Sequence, residues 1–406
     1  MTRNADSSRG PIVLAFSGGL DTSFCIPWLK ETYARPVVTA TVNTGGLDAR
    51  AQSRLAERAR TLGAADHVIV DAREEFFERV LKFLIMGNVR RGQMYPLCVG
   101  AERSVQAQHL ARIAAGLRAQ TVAHGCTAAG NDQIRFEVIL KTLAPSLEIL
   151  APVRDHAWSR KDQLAFLEQR NLPAPQSGSA YSINRGLWGV TIGGAETLDS
   201  AASIPESAWV LSRGALESPR APMEIEIHFA AGVPTAVDGE ALAPVALIER
   251  LESLGKDYAI GRGIHLGDTI LGTKGRVAFE APAAEILLNA HRELEKLTLT
   301  AVQARVKEPL GQIYGDLVHE GKQLDPACAD IEALLLSSQR RVTGAVRCAL
   351  RPGSVFVVGV RSQYSLMAAS RGKYGESAGE WTAADAVGFA HILSLPGTLY
   401  TRAGGE

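Results

Sequence analysis

The apolar positions of the first third of the chain fall in short blocks separated by amphipathic stretches. Ile12-Val13-Leu14-Ala15-Phe16 is an unbroken apolar run ended by Ser17-Gly18-Gly19, the pattern of a strand buried on both faces. Behind it Phe24, Ile26, Trp28 and Leu29 give a helix its apolar surface, with Asp21, Thr22 and Ser23 as candidate caps. A second strand is predicted over Val37–Val42, a polar helix over Asp48–Leu62 closed by Gly63, and a third strand over Val68–Val70. Phe76, Phe77, Val80, Leu81 and Leu84 recur at helical spacing within Glu74–Met86, which assigns them to core rather than to a ligand. A helix over Ala101–Leu117 and a strand over Thr121–Ala123 continue the alternation. Such alternation predicts an α/β fold, a doubly wound and mostly parallel sheet with its ligand site at the carboxyl ends of the strands.

The regular alternation then stops. Ala151-Pro152 and the proline- and glycine-bearing stretch 171–179 predict a boundary near residue 175. Beyond it, strands over Met223–Phe229 and Thr235–Val237, a helix over Val245–Leu254 and a hairpin of Val342–Leu350 with Ser354–Val360 predict an α+β domain. Helices are expected over Ala283–Leu297 and Ala301–Val318, the second broken at Pro309. The last ~40 residues are weakly patterned and are expected to serve assembly. The expected division is a first domain over 1–175, a second domain over 176–365 and a last segment over 366–406.

Composition narrows the class. With 406 residues, 46% of them hydrophobic, the chain can fill more than one core. Basic and acidic residues number 43 each, so nothing in the overall charge suggests nucleic acid or a membrane surface as partner. Met1–Gly10 has no apolar leader core, and no apolar run approaches the ~18 residues of a membrane span. Cys25, Cys98, Cys126, Cys328 and Cys348 are scattered without a Cys-x-x-Cys pair. Neither a zinc site nor a redox pair follows, and the chain reads as soluble and cytoplasmic with reduced thiols.

Two stretches carry chemistry. In Ser17-Gly18-Gly19-Leu20-Asp21-Thr22-Ser23 a strand meets a glycine turn and a helix start, where free N–H groups can face an oxyanion. This string resembles the pyrophosphate loop of enzymes that cleave ATP to AMP and pyrophosphate, and it lacks the Gly-Lys-Ser/Thr ending of a Walker loop. The second is His124-Gly125-Cys126-Thr127-Ala128-Ala129-Gly130-Asn131-Asp132-Gln133-Ile134-Arg135-Phe136. Asn131 or Asp132 can cap its helix. Asn131 and Arg135, four apart, share a helical face that can grip a ureido group or a carboxylate.

With both stretches in this order, the chain resembles the argininosuccinate synthase family. The likeness runs on through Gly272-Thr273-Lys274-Gly275-Arg276 and Glu280-Ala281-Pro282. It implies ATP-dependent ligation of L-citrulline to L-aspartate through a citrullyl-adenylate, with release of AMP and pyrophosphate. It also implies magnesium carried by the polyphosphate rather than a protein metal cage, and a homotetramer in which the C-terminal arm wraps a neighbour. By the same resemblance Ala15, Phe16, Ser17, Gly18, Gly19, Leu20, Asp21, Thr22 and Ser23 hold the phosphates, and Val42 and Gly125 contact the nucleotide. Thr127, Asn131 and Asp132 fall at the aspartate site. Tyr95, Asn131, Arg135, Ser182 and Thr191 fall at the citrulline site. Asp21, Asn131 and Asp132 are the expected catalytic group.

The chain departs from the family at several positions. Cys98-Val99-Gly100 stands for the usual Gly-Thr-Ser, Ala128-Ala129 for Gly-Lys, and Asn184-Arg185-Gly186 for Asp-Glu-Asn. Gly267 replaces a glutamate and Phe279 a tyrosine near the α-ammonium of the acceptor. Either Asp268 or Glu280 then receives that ammonium, or the acceptor is an Nα-acylated citrulline or another ureido acid that fills the room at Gly267. Two further readings are a non-catalytic nucleotide-binding protein and a tRNA-thiolating enzyme, the latter requiring catalytic cysteines and a basic surface that the chain does not display.

Overall fold

Successive residues of the first strand feed opposite cores. In the computed structural model, which describes residues 9–174 and 180–405, Ile12 and Leu14 pack with Phe24, Ile26 and Leu29 on one side of the sheet. Val13 packs with Ala107, Leu110, Ile139 and Leu140 on the other. The strands are β1 (Ile12–Ala15), β2 (Val37–Asn43), β3 (Asp66–Asp71), β4 (Thr121–Ala123) and β5 (Glu148–Leu150). They pair in parallel in the order β3-β2-β1-β4-β5, so the predicted doubly wound sheet is present. The direction of winding reverses between β1 and β4. Their carboxyl ends are the two motif loops, and the crevice between such ends is where ligands bind in this class of sheet. β5 is too short and too evenly half-buried to stand out in the sequence.

The second half holds two antiparallel sheets. β8 (Met223–Ala230), β9 (Val233–Val237), β10 (Glu240–Ala241), β13 (Gly344–Arg351) and β14 (Ser354–Arg361) form one, in the order β10-β9-β8-β13-β14. The other is β11-β12-β7-β6, made of β6 (Tyr181–Gly186), β7 (Gly189–Gly194), β11 (Arg262–Asp268) and β12 (Lys274–Glu280). It escapes sequence reading because its strands are rich in glycine and charge. The boundary expected near residue 175 lies outside the described residues.

Two expectations are corrected. The helix after β1 is Leu20–Tyr33, with Gly19 at the cap and no side-chain cap, so Asp21, Thr22 and Ser23 lie inside the first turns. Pro309 does not break its helix, which runs as Ala301–His319. One missing hydrogen bond costs less than lifting the helix off the backbone of Gly87, against which Gly311 packs so closely that a Cβ there would collide with the Gly87 carbonyl. The weakly patterned terminus contains a long helix, Ala383–Ala403, none of whose residues is buried.

The apolar stripe Phe76, Phe77, Val80, Leu81 and Leu84 is fully buried, as predicted. It packs in one continuous core with Ile225, Ile227, Leu287 and Val346 of the second half. The region 73–105 thus ties the parallel sheet to the later chain and fixes the cleft between them.

Candidate active site

A cleft of about 1070 Å³ opens at the carboxyl end of the parallel sheet and is closed on its far side by β6, β7, β11 and β12. Its floor is the loop after β1. Gly18 takes a φ of +76°, a left-handed conformation that glycine alone adopts freely, and its Cα lies against Leu55. Ser17 and Thr22 brace the loop from inside, with their hydroxyl oxygens 3.2 Å apart. With no side chain capping the helix, its first N–H groups remain available to an anion. Ala15, Phe16, Ser17, Gly19, Asp21, Thr22 and Val42 line the cleft. Gly18, Leu20 and Ser23 do not. Ser23 is buried beneath the loop, where its hydroxyl accepts from Arg58 Nε at 3.0 Å.

The second motif presses directly on the first. A Cβ on Gly125 would stand 3.0 Å from the backbone nitrogen of Thr22, so the two loops meet backbone to backbone. Thr127, Asn131, Asp132 and Arg135 line the same cleft, as do Tyr95, Ser182 and Thr191. Residues separated by 176 positions in sequence, Ala15 and Thr191, are therefore brought to one cavity.

The polar groups are linked. Asn131 stands at the cap of the helix Asp132–Leu143 but does not cap it with its side chain; its Oδ1 accepts from the Ile270 N–H at 2.9 Å and tethers the turn between β11 and β12. Asp132 lies between two guanidiniums, Arg103 Nε at 3.0 Å and Arg135 Nη1 at 2.7 Å. Burial alone would raise its carboxyl; the two arginines overcome this and hold it at about 2. Arg135 is not the free claw that its spacing from Asn131 suggests. It is buried and also donates to the His319 carbonyl at 2.7 Å. A helix nearly 200 residues away supplies that partner, which no local pattern announces.

Burial lowers His124 to about 4 and His319 to about 3, so both imidazoles are neutral near pH 7. Burial also pushes the Tyr95 phenol up, and the ring of Tyr95 stacks on His265 with centroids 5.5 Å apart.

The altered positions have structural partners. The room expected at Gly267 is occupied: a Cβ there would stand 2.5 Å from His265 Nε2. Phe279 lies over Gly263 and beside Tyr95, with ring centroids 5.2 Å apart for the latter pair. A Cβ on Gly100 would stand 3.1 Å from the Arg135 guanidinium. Glu280 cannot receive a ligand's ammonium. It is fully buried and accepts from Val210, Leu211 and Ser212 N–H at 2.6, 2.8 and 2.9 Å and from the Ser212 hydroxyl at 2.5 Å. Asp268 is exposed on the cleft wall, paired with Lys274 at 2.5 Å.

Comparison with known proteins agrees with this geometry. Residues 11–173 match the family described as arginosuccinate synthase N-terminal HUP domain, and residues 181–400 match the arginosuccinate synthase C-terminal domain. The argininosuccinate synthase of Xanthomonas campestris is 40% identical over 403 residues, covering 97% of this chain and 99% of that protein. Those of Dictyoglomus turgidum and Methanocaldococcus jannaschii are each 37% identical, covering 98% and 87% of this chain and 99% and 89% of their own lengths.

Proposed function

The chain belongs to the argininosuccinate synthase family and its activity is the ATP-dependent ligation of citrulline to aspartate in arginine biosynthesis; from that premise we propose how the cleft performs it. The loop Ser17–Thr22 binds the polyphosphate of ATP through the open N–H groups of its helix. The same groups stabilise pyrophosphate as it leaves. The described residues contain no cluster of three acidic, histidine or cysteine ligands that could cage a metal. Asp21 beside phosphate oxygens is instead the donor set that suits magnesium, an ion that keeps several waters and rides on polyphosphates. Magnesium supplies charge neutralisation there.

The ureido oxygen of citrulline attacks the α-phosphorus and expels pyrophosphate. The aspartate amine, once its ammonium has lost a proton to solvent, then attacks the activated carbon, expels AMP and sheds a second proton as the C–N bond forms. Neither step needs a protein nucleophile, and rate comes from positioning and charge. Asn131, tethered to the turn that closes the cleft, orients the acceptor and the donor. Asp132, kept ionised by Arg103 and Arg135, sets the donor's ammonium. Tyr95, Ser182, Thr191 and Arg135 shape the acceptor end, and Asp268 is the carboxylate that faces it.

The observation that carries this reading is the contact of Gly125 with the Thr22 backbone, which makes one cavity of the phosphate loop and the Asn131-Asp132 helix start. We further propose a cytoplasmic homotetramer assembled through the exposed helix Ala383–Ala403, with domains over 1–175 and 176–365. Incubation with ATP, magnesium, citrulline and aspartate is expected to yield argininosuccinate, AMP and pyrophosphate in equal amounts. Stoichiometric ADP and phosphate would overturn the reading. With the space at Gly267 filled by His265, Nα-acetylcitrulline is expected to be a poorer acceptor than citrulline.

A further inference from the structure

Glu102 lies at the cleft and has no place in the family pattern described above. It directly follows the apolar run Cys98-Val99-Gly100-Ala101 and is only 3% exposed. Its carboxylate joins four separate parts of the chain. Oε2 accepts from the Thr44 hydroxyl, in the loop after β2, at 2.8 Å. Oε1 accepts from Arg103 Nη1 at 2.7 Å, while Arg103 Nε reaches Asp132 at 3.0 Å. Gln106 closes the ring, donating to Thr44 Oγ1 at 3.0 Å and accepting from Arg103 at 2.8 Å. The fourth part is the end of β6, where a Cβ on Gly186 would collide with Glu102 Oε2. The carboxylate therefore fills the room that Gly186 leaves, at a position where the family usually carries asparagine.

We propose that Glu102 is a positioning residue of this site: its ionised carboxylate, seated over Gly186, aims Arg103 at Asp132 and so sets the donor end of the cleft. The proposal rests on the function given above and adds a residue to it. A buried carboxylate is costly to ionise, and Arg103 and the Thr44 hydroxyl offset that cost. Burial raises Glu102 to about 7, with Arg103 and Thr44 opposing the rise and Asp132 adding to it. The other groups around it titrate elsewhere: Asp132 at about 2, His124 at about 4, His319 at about 3 and Cys126 at about 12, with Cys98 pushed up by burial. Protonation of Glu102 below pH 7 releases Arg103 from one of its two carboxylates. The sign for stability is the reverse. A carboxyl raised in the fold above its unfolded value favours folding at low pH, and that contribution is lost as pH rises from about 4.5 through about 7.

The test compares wild type with Glu102→Gln, which keeps the shape and removes the charge. Wild-type kcat/KM for aspartate is expected to fall below pH 7. The variant is expected to lose about tenfold at pH 8, through aspartate rather than ATP, and to lack the acidic limb that wild type shows. Its melting temperature at pH 8 is expected to be no lower than that of wild type, which a merely structural carboxylate would not allow. A variant with the wild-type pH profile, or one whose loss tracks a lower melting temperature, overturns the proposal. Gly186→Ala perturbs the same joint from the opposite side and is expected to weaken aspartate use; unchanged kinetics there also overturn it. Should wild type release no pyrophosphate, the functional reading fails instead. The proposal is then tested by carbon NMR of the glutamate carboxyls, in which a Glu102 signal titrating with the exposed glutamates would refute it.

Discussion

Asp21 enters the cleft from the first turn of an uncapped helix and forms no ion pair among the described residues. A carboxylate held there without a partner is poised for a ligand's cation rather than for stability. Asp21→Asn is therefore expected to leave the melting temperature unchanged and to lower kcat by a factor of about 100 or more. Steady-state kinetics beside a thermal melt check this, and an undiminished kcat would remove Asp21 from the catalytic group. Asp21 was legible in the sequence because the entire string around it is local. Glu102 was less so: the only signal is an acidic residue between an apolar run and an arginine, a pattern that marks a helix start, and Glu102 does stand at the cap of the helix Arg103–Gly116. Its partners Thr44 and Gly186 lie 58 and 84 residues away in opposite directions.

The two loops act as a unit because their backbones touch. Gly125→Ala would place a methyl 3.0 Å from the Thr22 nitrogen and 3.1 Å from the Asp21 carbonyl carbon. Neither neighbour is a side chain that can swing away, so the start of the helix Leu20–Tyr33 must shift. The expected result is an increase of about tenfold or more in KM for ATP, since a displacement of around 1 Å misaligns several phosphate contacts at once. Binding of an ATP analogue by calorimetry measures it directly, and an unchanged affinity would mean that the loop N–H groups are not the phosphate site. Elements were well predicted where apolar period and turn chemistry agree, as in β1, β2 and the hairpin of β13 and β14. The helix through Pro309 was misread because proline's local cost is outweighed by packing of Gly311 on Gly87.

The helix Ala383–Ala403 exposes Val387, Phe389, Ile392, Leu393, Leu399 and Tyr400, all of them more than half accessible. So many large apolar groups on one terminal helix amount to a patch that a folded monomer does not ordinarily leave in water. Removal of residues 383–406 is expected to reduce the mass in solution from that of the proposed tetramer to a smaller species, measured by sedimentation equilibrium. A 406-residue chain that already sediments as a monomer would defeat the assignment of this helix to assembly. No helix among the described residues is long and apolar enough to cross a membrane.

The sequence by itself determined the parallel sheet, the glycine loop after β1 and the helix start beside Asn131, because each depends on contacts within a dozen residues or on a repeating apolar period. It could also point to altered positions in the acceptor region. What fills those positions was decided by the tertiary structure. His265 takes the room at Gly267, Glu280 is consumed by the backbone of residues 210–212, and Glu102 occupies the space over Gly186. The physical reason is the same in each case: a side chain's role in a packed cleft depends on which distant backbone presses against it, and that is set only when the sheets close.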